Sequence, residues 1–458
     1  MMALQLSDAA RILDARSISG DVLFRGVSTD SRKLQQGNLF VALQGPNFDG
    51  HDYVERARAQ GAAAAAVSRL QQTALPLLEV GDTRLALGQL AAHWRARFSL
   101  PVVAITGSNG KTTVRTMTTS ILSCAGQTLS TQGNLNNDIG LPLTLFRLSR
   151  DDAYAVLEMG ASHPGEIDYL AGIARPTIAL VTNAGPAHLE GFGDLEGVAR
   201  SKGEVFARLG DTGIAVINAD DRYAPLWREL AGQRQMVDFG LAESAAVHAD
   251  WEGSISGSQV TLFTPRGETE FHLPLPGRHN VMNALAASAA ALAAGVGLDA
   301  VRKGLESLSP VAGRFNIHQL PEGVTIIDDT YNANPESLQV ALEVLAMAGG
   351  ETWLVLGDMG ELGSGAETLH REAGHAARRL GIDRLFALGP LAQEAAQTFG
   401  DRAASFDTLG TLATAVRQEL HAGVHILVKG SRSMQMERIV EALGVTAAYK
   451  SNPPGAPY

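Results

Sequence analysis

One cysteine, Cys124, stands in a chain of 458 residues. A single thiol excludes an internal disulfide framework and suits a reducing compartment. An excess of positive charge is also missing: 37 Lys plus Arg face 48 Asp plus Glu, for a net charge of -11. That balance gives no general attraction to nucleic acid or to a membrane surface. Met1-Met2-Ala3-Leu4-Gln5 has no basic stretch leading into an apolar core, so a secretory signal peptide is not expected. One uncharged stretch, Asn280 to Leu298, is long enough to span a bilayer. It is built on Ala and Gly, with Asn280, Asn283 and Ser288 inside it, which makes its transfer energy weak. A buried soluble helix is expected there.

What is present has the balance of a folded protein. Hydrophobic residues make up 45% and charged residues 19%, with 49 glycines, which excludes a disordered or collagen-like chain. The length suits about three domains of roughly 150 residues each. Short β-rich pieces, Gly20 to Val27 and Asn38 to Leu43, precede an Ala-rich, helix-like run ending at Val67. Between Leu100 and Leu308, short apolar runs alternate with helix-like patterns. Pro101 to Thr106, Ala153 to Glu158, Thr177 to Thr182 and Gly213 to Asn218 are such runs. They mark parallel strands covered by helices on both faces. Alternation of β type follows between His248 and Leu275.

Ser309 to Gly313 reads as a hinge, and a new α/β series opens at Val324. Its strands are expected at Val324 to Ile327, Thr352 to Leu356, Arg384 to Leu388 and His425 to Val428. The tail from Ser451 to Tyr458 has no apolar period and reads as loose. The expected fold class is α/β in three domains. Residues 1–85 form an N-terminal α/β domain, 86–312 a central phosphate-loop-type parallel sheet with helices on both faces, and 313–458 a Rossmann-like α/β domain.

The sharpest chemical signal follows the strand Pro101 to Thr106. Gly107-Ser108-Asn109-Gly110-Lys111-Thr112-Thr113 leads into Val114, Met117, Ile121 and Leu122 at helical spacing. Strand, glycine loop and helix N-terminus in that order are the context a phosphate loop demands. Glycines let backbone N–H groups curl round an anion, the helix dipole adds positive potential, and Lys111 supplies a mobile charge. Thr112 offers a hydroxyl to Mg²⁺. The generic pattern has four residues between its glycines, and Ile105 stands where the first should be. No guanine-selective Asn-Lys-x-Asp occurs, which favours ATP. Without further context a Gly/Ser/Asn turn capping a helix remains open.

Five segments together carry a resemblance. Thr106 to Val114, Gly133 to Pro142, Glu158-Met159-Gly160-Ala161, Thr182 to His188 and Gly277 to Ala284 resemble, in order and spacing, the Mur ligases and folylpolyglutamate synthetases. Asp328 to Pro335 and Gly357 to Gly363 are similar to the branch that adds D-alanyl-D-alanine to UDP-N-acetylmuramoyl-tripeptide. The Asp-Asn-Pro-Arg of the diaminopimelate-adding branch is missing, as is the dinucleotide-type glycine loop of the L-alanine-adding branch. The resemblance implies an ATP-dependent, cytoplasmic carboxylate–amine ligase of peptidoglycan precursor synthesis, needing magnesium at two sites. It would act as a monomer without nucleic acid or membrane insertion.

The resemblance also implies roles for residues that read blandly alone. Glu158, at a strand's carboxyl end, would hold Mg²⁺ beside Thr112; alone it is a solvated turn residue. His188 would serve a second metal; alone it is a loop histidine. Lys202 would be carbamylated, becoming an anion for that metal. An ordinary lysine is neutral only about once in 2,500 at pH 7, so this needs a lowered pKa or trapping by metal.

Asn280 and Asn283 lie one helical turn apart and suit adenine's edge, or merely cap an Ala-rich helix. Arg314 and Asp329 would grip phosphate and ribose when the last domain closes. In the first domain Ser28, Asp30, Ser31, Arg32, Asp49, Gly50 and His51 would form the uridine-diphosphate site; by spacing they are turns. Asn134 and Asn137 would touch the muramoyl or phosphate part. Lys429 and Ser431 would hold the dipeptide carboxylate. Two other readings stay open: a ligase for another acceptor, and a non-catalytic ATP-dependent switch.

Overall fold

Val102–Thr106, with all five residues buried, is the middle of a six-stranded parallel sheet. Across the sheet the strands run Thr128–Ser130, Tyr154–Glu158, Val102–Thr106, Ile178–Val181, Ile214–Asn218 and Gln235–Phe239. This computed structural model describes residues 2–15, 17–186, 189–254, 256–308, 313–321 and 323–445. The expected hinge, apart from Gly313, and the expected loose tail lie outside them, as does His188.

The period of two along the middle strand divides the core. Val102 and Ala104 enter one apolar cluster, and Val103 and Ile105 the other. The first cluster is continuous from Met2 to Ala231, drawing in the first domain and the helices Thr83–Arg95, Glu166–Ala174 and Leu195–Ala207. The second lies under the helices Lys111–Ser123, Arg278–Ala293 and Leu298–Glu306 and the antiparallel sheet His248–Ser254, Gly257–Thr264, Gly267–Leu273. Arg278–Ala293 buries Asn280 and Asn283 with its alanines. No helix among the described residues is long and apolar enough to cross a membrane.

The first domain has a sheet ordered Ser17–Ile18, Leu77–Glu79, Ala64–Val67, Leu39–Val41, Val27–Ser28. Its first pair is antiparallel and the others are parallel. The Ala-rich run corrects the sequence expectation. The helix is Val54–Ala59, Gly61 at φ 90° follows it, and Ala64–Val67 is a strand buried throughout. Pairing on both sides overrides alanine's helix propensity. Thr83–Arg95, capped by Asp82, runs across the expected join at residue 85. Its Arg95 donates to the carbonyls of Ala174, Phe98 and Arg175 at 2.9, 2.6 and 3.2 Å. Ala174 and Arg175 end and cap the helix Glu166–Ala174, where carbonyls lack intrahelical partners.

The last domain orders its strands Asn316–Gln319, Thr325–Asp329, Val424–Lys429, Glu351–Gly357, Arg384–Leu388, Ala403–Phe406. All pairings are parallel except the first. Its two apolar clusters contain residues of this domain alone.

Gly304 shows how tightly the phosphate-loop helix is held. A Cβ there would stand 2.5 Å from the Ile121 Cα, a backbone atom that cannot swing aside. Gly304→Val is expected to destabilise the protein by about 2 kcal/mol through overpacking, seen as a lowered calorimetric midpoint.

Candidate active site

The chain leaves the middle strand toward one edge of the central sheet, then crosses and continues toward the other. The loops after Val102–Thr106 and Ile178–Val181 therefore flank a crevice at the strands' carboxyl ends, where open α/β sheets bind ligands. These two loops are stitched together. Ser108 N–H donates to the Asn183 carbonyl at 3.1 Å and Asn109 N–H to Asn183 Oδ1 at 2.9 Å. Thr182 Oγ1 donates to the Asn109 carbonyl at 2.6 Å, and Ser108 Oγ to the Gly185 carbonyl at 3.0 Å. The glycines serve this closeness. Gly107 has φ 142° and Gly110 φ 78°. A Cβ on Gly107 would meet Thr182 Oγ1 at 2.0 Å, and one on Gly110 would meet Asn283 Oδ1 at 2.4 Å.

The helix Lys111–Ser123 begins directly after this loop, and first-turn N–H groups, lacking intrahelical partners, suit an anion. Lys111 Nζ donates to the carbonyls of its own loop, Gly107 at 2.6 Å and Ser108 at 3.0 Å. Burial lowers its pKa to about 8; Glu158 opposes that shift and Arg314 adds to it. Glu158 is 3% exposed. Its Oε1 accepts from Asn136 Nδ2 at 2.9 Å, while Oε2 has no hydrogen bond and lies 3.6 Å from Arg115 Nη1. A buried carboxylate oxygen that accepts no hydrogen bond, close enough to act on Lys111 of the phosphate loop, fits a hard cation. No cluster of three or more His, Cys, Asp or Glu able to hold a metal occurs among the described residues. Such an ion would need hydroxyl and nucleotide oxygens as well.

Lys202 is 2% exposed. Its Nζ donates to the Ala161 carbonyl at 3.1 Å and stands 4.9 Å from the Phe192 ring centroid. Burial, reinforced by Lys111, lowers its pKa to about 7 against the pull of Glu166 and Glu204. At that value about half the amines are neutral at pH 7.

Beyond the phosphate loop a small cavity is lined by Thr113, Thr116, Met117, Leu275, Asn280, Leu308 and Arg314. Asn280 Nδ2 donates to the Pro276 carbonyl at 2.8 Å, and Asn283 stands 3.4 Å from Asn280 Oδ1. Arg314 lies over the Tyr331 ring, 4.1 Å from its centroid, with Nε unpartnered. Phe315 beside it has a left-handed φ of 58°.

Other expected residues are already engaged. Lys429, 1% exposed, pairs with Asp329 and donates to the Asn332 carbonyl at 3.0 Å. Ser431 Oγ donates to the Asp358 carbonyl at 2.6 Å. Both side chains thus have partners within the last domain: Lys429 holds Asp329 in place, and Ser431 ties two loops of the last sheet. Asn137 Oδ1 accepts from Gly140 N–H at 2.8 Å as a local cap, and Asn134 is exposed.

In the first domain Asp30 binds Arg32 through Nε and Nη2, both at 2.9 Å. Ser28 Oγ donates to the Asp30 carbonyl at 3.0 Å, and Ser31 is buried. Asp49 accepts from His51 Nδ1 at 2.6 Å. His51 Nε2 accepts from Ser68 N–H at 3.0 Å, which fixes the Nδ1–H tautomer. A Cβ on Gly50 would stand 2.6 Å from the Leu43 carbonyl oxygen.

Sequence reasoning missed Asn136, Arg115 and Asn183. Asn136 stood inside a quoted stretch, and Arg115 lies one helical turn beyond Lys111; neither spacing reveals a contact with Glu158.

Three family profiles match: the Mur ligase family catalytic domain over residues 23–95, the Mur ligase middle domain over 105–291, and the Mur ligase glutamate ligase domain over 313–432. The chain is 45% identical over 451 residues to the UDP-N-acetylmuramoyl-tripeptide--D-alanyl-D-alanine ligase of Escherichia coli (strain K12), covering 97% of this chain and 99% of that one. The chain belongs to the Mur ligase family. Among solved Mur ligases, MurF from Acinetobacter baumannii superposes with a TM-score of 0.92 at 37% identity, covering 97% and 99% of the two chains. MurF from Thermotoga maritima in complex with ADP superposes with a TM-score of 0.84 at 30% identity, covering 92% and 97%.

Two outcomes follow for this Mur ligase. Gly107→Ala should weaken ATP binding at least about tenfold, because a Cβ both clashes with Thr182 and resists the backbone angle; calorimetric titration reads it. Lys202 is held below its unfolded pKa, so its burial penalty is complete below pH 7 and fades as pH rises toward 10.5. Lys202→Met should therefore raise the thermal midpoint of the ligand-free protein at pH 6, and by less at pH 9.5.

Proposed function

We propose that this Mur ligase joins D-alanyl-D-alanine to UDP-N-acetylmuramoyl-tripeptide through an acyl phosphate, releasing ADP and phosphate. It is an ATP-dependent ligase by family. The full-length match to a ligase of that name, with a phosphate loop near a buried Glu158 oxygen that accepts no hydrogen bond, carries the reading. The setting is cytoplasmic precursor synthesis for the cell wall, on which cell shape and division depend, with the chain acting as a monomer. The division into residues 1–85 for the uridine substrate, 86–312 for ATP and 313–458 for closure and the dipeptide belongs to the same proposal.

A carboxylate is a poor acyl donor because oxide would have to leave. Phosphorylation turns it into an acyl phosphate, which an amine attacks through a tetrahedral oxyanion, expelling phosphate. The protein's task is positioning and charge neutralisation. Lys111 exchanges its bonds to the Gly107 and Ser108 carbonyls for bonds to the triphosphate. Glu158, oriented by Asn136, and Thr112 would hold one magnesium ion, and His188 with carbamylated Lys202 a second. Magnesium, when bound, supplies charge neutralisation of the phosphates. Carbamylation joins the neutral Lys202 nitrogen to carbon dioxide carbon and releases a proton, and the lowered pKa supplies the neutral amine. Asn280 and Asn283 receive adenine in the cavity beyond the loop, with Asn280 lining it. Arg314 meets phosphate, and Asp329, held by Lys429, meets ribose. Ser28, Asp30, Ser31, Arg32, Asp49, Gly50 and His51 serve the uridine diphosphate, and Asn134 and Asn137 the muramoyl part. Closure of the last domain keeps water from the acyl phosphate.

The deciding measurement is phosphate release from ATP with UDP-muramoyl-tripeptide and either D-alanyl-D-alanine, D-glutamate or diaminopimelate. Release is expected with D-alanyl-D-alanine alone. Preference for either other acceptor overturns the assignment.

A further inference from the structure

Asn109 sits in the phosphate loop, yet it commits both ends of its side-chain amide to the last domain. Its Nδ2 donates to Glu336 Oε2 at 2.7 Å, and its Oδ1 accepts from Asn334 Nδ2 at 2.8 Å. Those partners are 227 and 225 positions away in sequence. Asparagine suits the junction because one amide offers a donor and an acceptor together.

Both sides are held in advance. On the loop side, Asn109 N–H and carbonyl are bound by Asn183 and Thr182. On the other side, Asn334 caps the helix Pro335–Ala346 in a reciprocal box with Ser337, at 2.8 and 3.1 Å. Glu336 lies in the first turn of that helix, and its Oε2 stands 2.0 Å from where a Gly185 Cβ would be. Gly185 is the residue whose carbonyl accepts from Ser108 of the phosphate loop. Three separate parts of the chain thus meet at Asn109: the phosphate loop, the segment after Ile178–Val181, and a helix start in the last domain.

We propose that Glu336 and Asn334 are positioning residues for phosphoryl transfer. Acting through Asn109, they dock the last domain on the phosphate loop. Arg314 and Asp329 belong to that same domain, so this docking sets how both meet the nucleotide. The proposal rests on the ATP-dependent ligase reading. A purely local role would have Glu336 serve only as an acidic first-turn residue complementing the helix dipole.

The test is a double-mutant cycle on the full chain. Glu336→Ala and Glu336→Gln are made with Asn109 intact and in an Asn109→Ala background. The readouts are KM for ATP and kcat, affinity for a non-hydrolysable ATP analogue by calorimetry, and thermal midpoint. Glu336→Ala should raise the ATP KM about fivefold, the scale of one hydrogen bond. Glu336→Gln, whose amide oxygen still accepts, should stay within about twofold. In the Asn109→Ala background Glu336→Ala should change KM little, because the pair is already broken. An equal loss in both backgrounds overturns the proposal, as does a Gln variant as impaired as the Ala variant. A lowered thermal midpoint with unchanged KM also overturns it and leaves the local role. If the unaltered protein turns over no ATP with the muramoyl tripeptide and D-alanyl-D-alanine, the ligase reading fails instead. The analogue-affinity cycle then still decides whether the pair is coupled.

Discussion

A surplus of positive charge around one carboxylate governs this active site. Lys111 and Arg115 each feel Arg314 and Glu158, and Lys202 feels Lys111. Burial lowers the pKa of Lys111, Arg115 and Lys202, so their charges are costly where they stand. A polyanion removes that cost. The loops, the glycines and the domain contact form the frame in which Lys111 stands.

The frame depends on sheet topology. Because the strand order reverses at Val102–Thr106, two loops distant in sequence lie side by side. Thr182 and Asn183 can then support the phosphate loop from outside. Glu158 comes from the neighbouring strand on the other flank, paired at Ile105. Its orientation is set by Asn136, which reaches it from the loop before the helix Gly140–Leu145. Each functional group is thus held by a partner from another segment.

Much of the fold was legible because parallel strands buried on both faces read as apolar runs. Every run named in the central and last domains appears as a strand within a residue or two. Ala64–Val67 was not legible: alanine's local preference points to helix, and only its two strand neighbours overrule it. The phosphate loop was legible because its chemistry is local, requiring glycines, a lysine and a threonine in fixed order. The contacts of Lys429, Ser431 and Asn136 were not, because each is a pairing across the fold. No spacing in the sequence joins Lys429 to Asp329, whereas their parallel register brings the counter-ion to it. His188 lies outside the described residues.

Helix Thr83–Arg95 has a consequence for how the molecule comes apart. Its apolar face belongs to a core running unbroken from Met2 to Ala231, and Arg95 closes the ends of neighbouring segments. The cores of the last domain share no residue with it. The first two modules in sequence therefore share a core, and the third does not join it. Disrupting the packing of Thr83–Arg95 would loosen the first domain and the central sheet together, while the last domain keeps cores of its own.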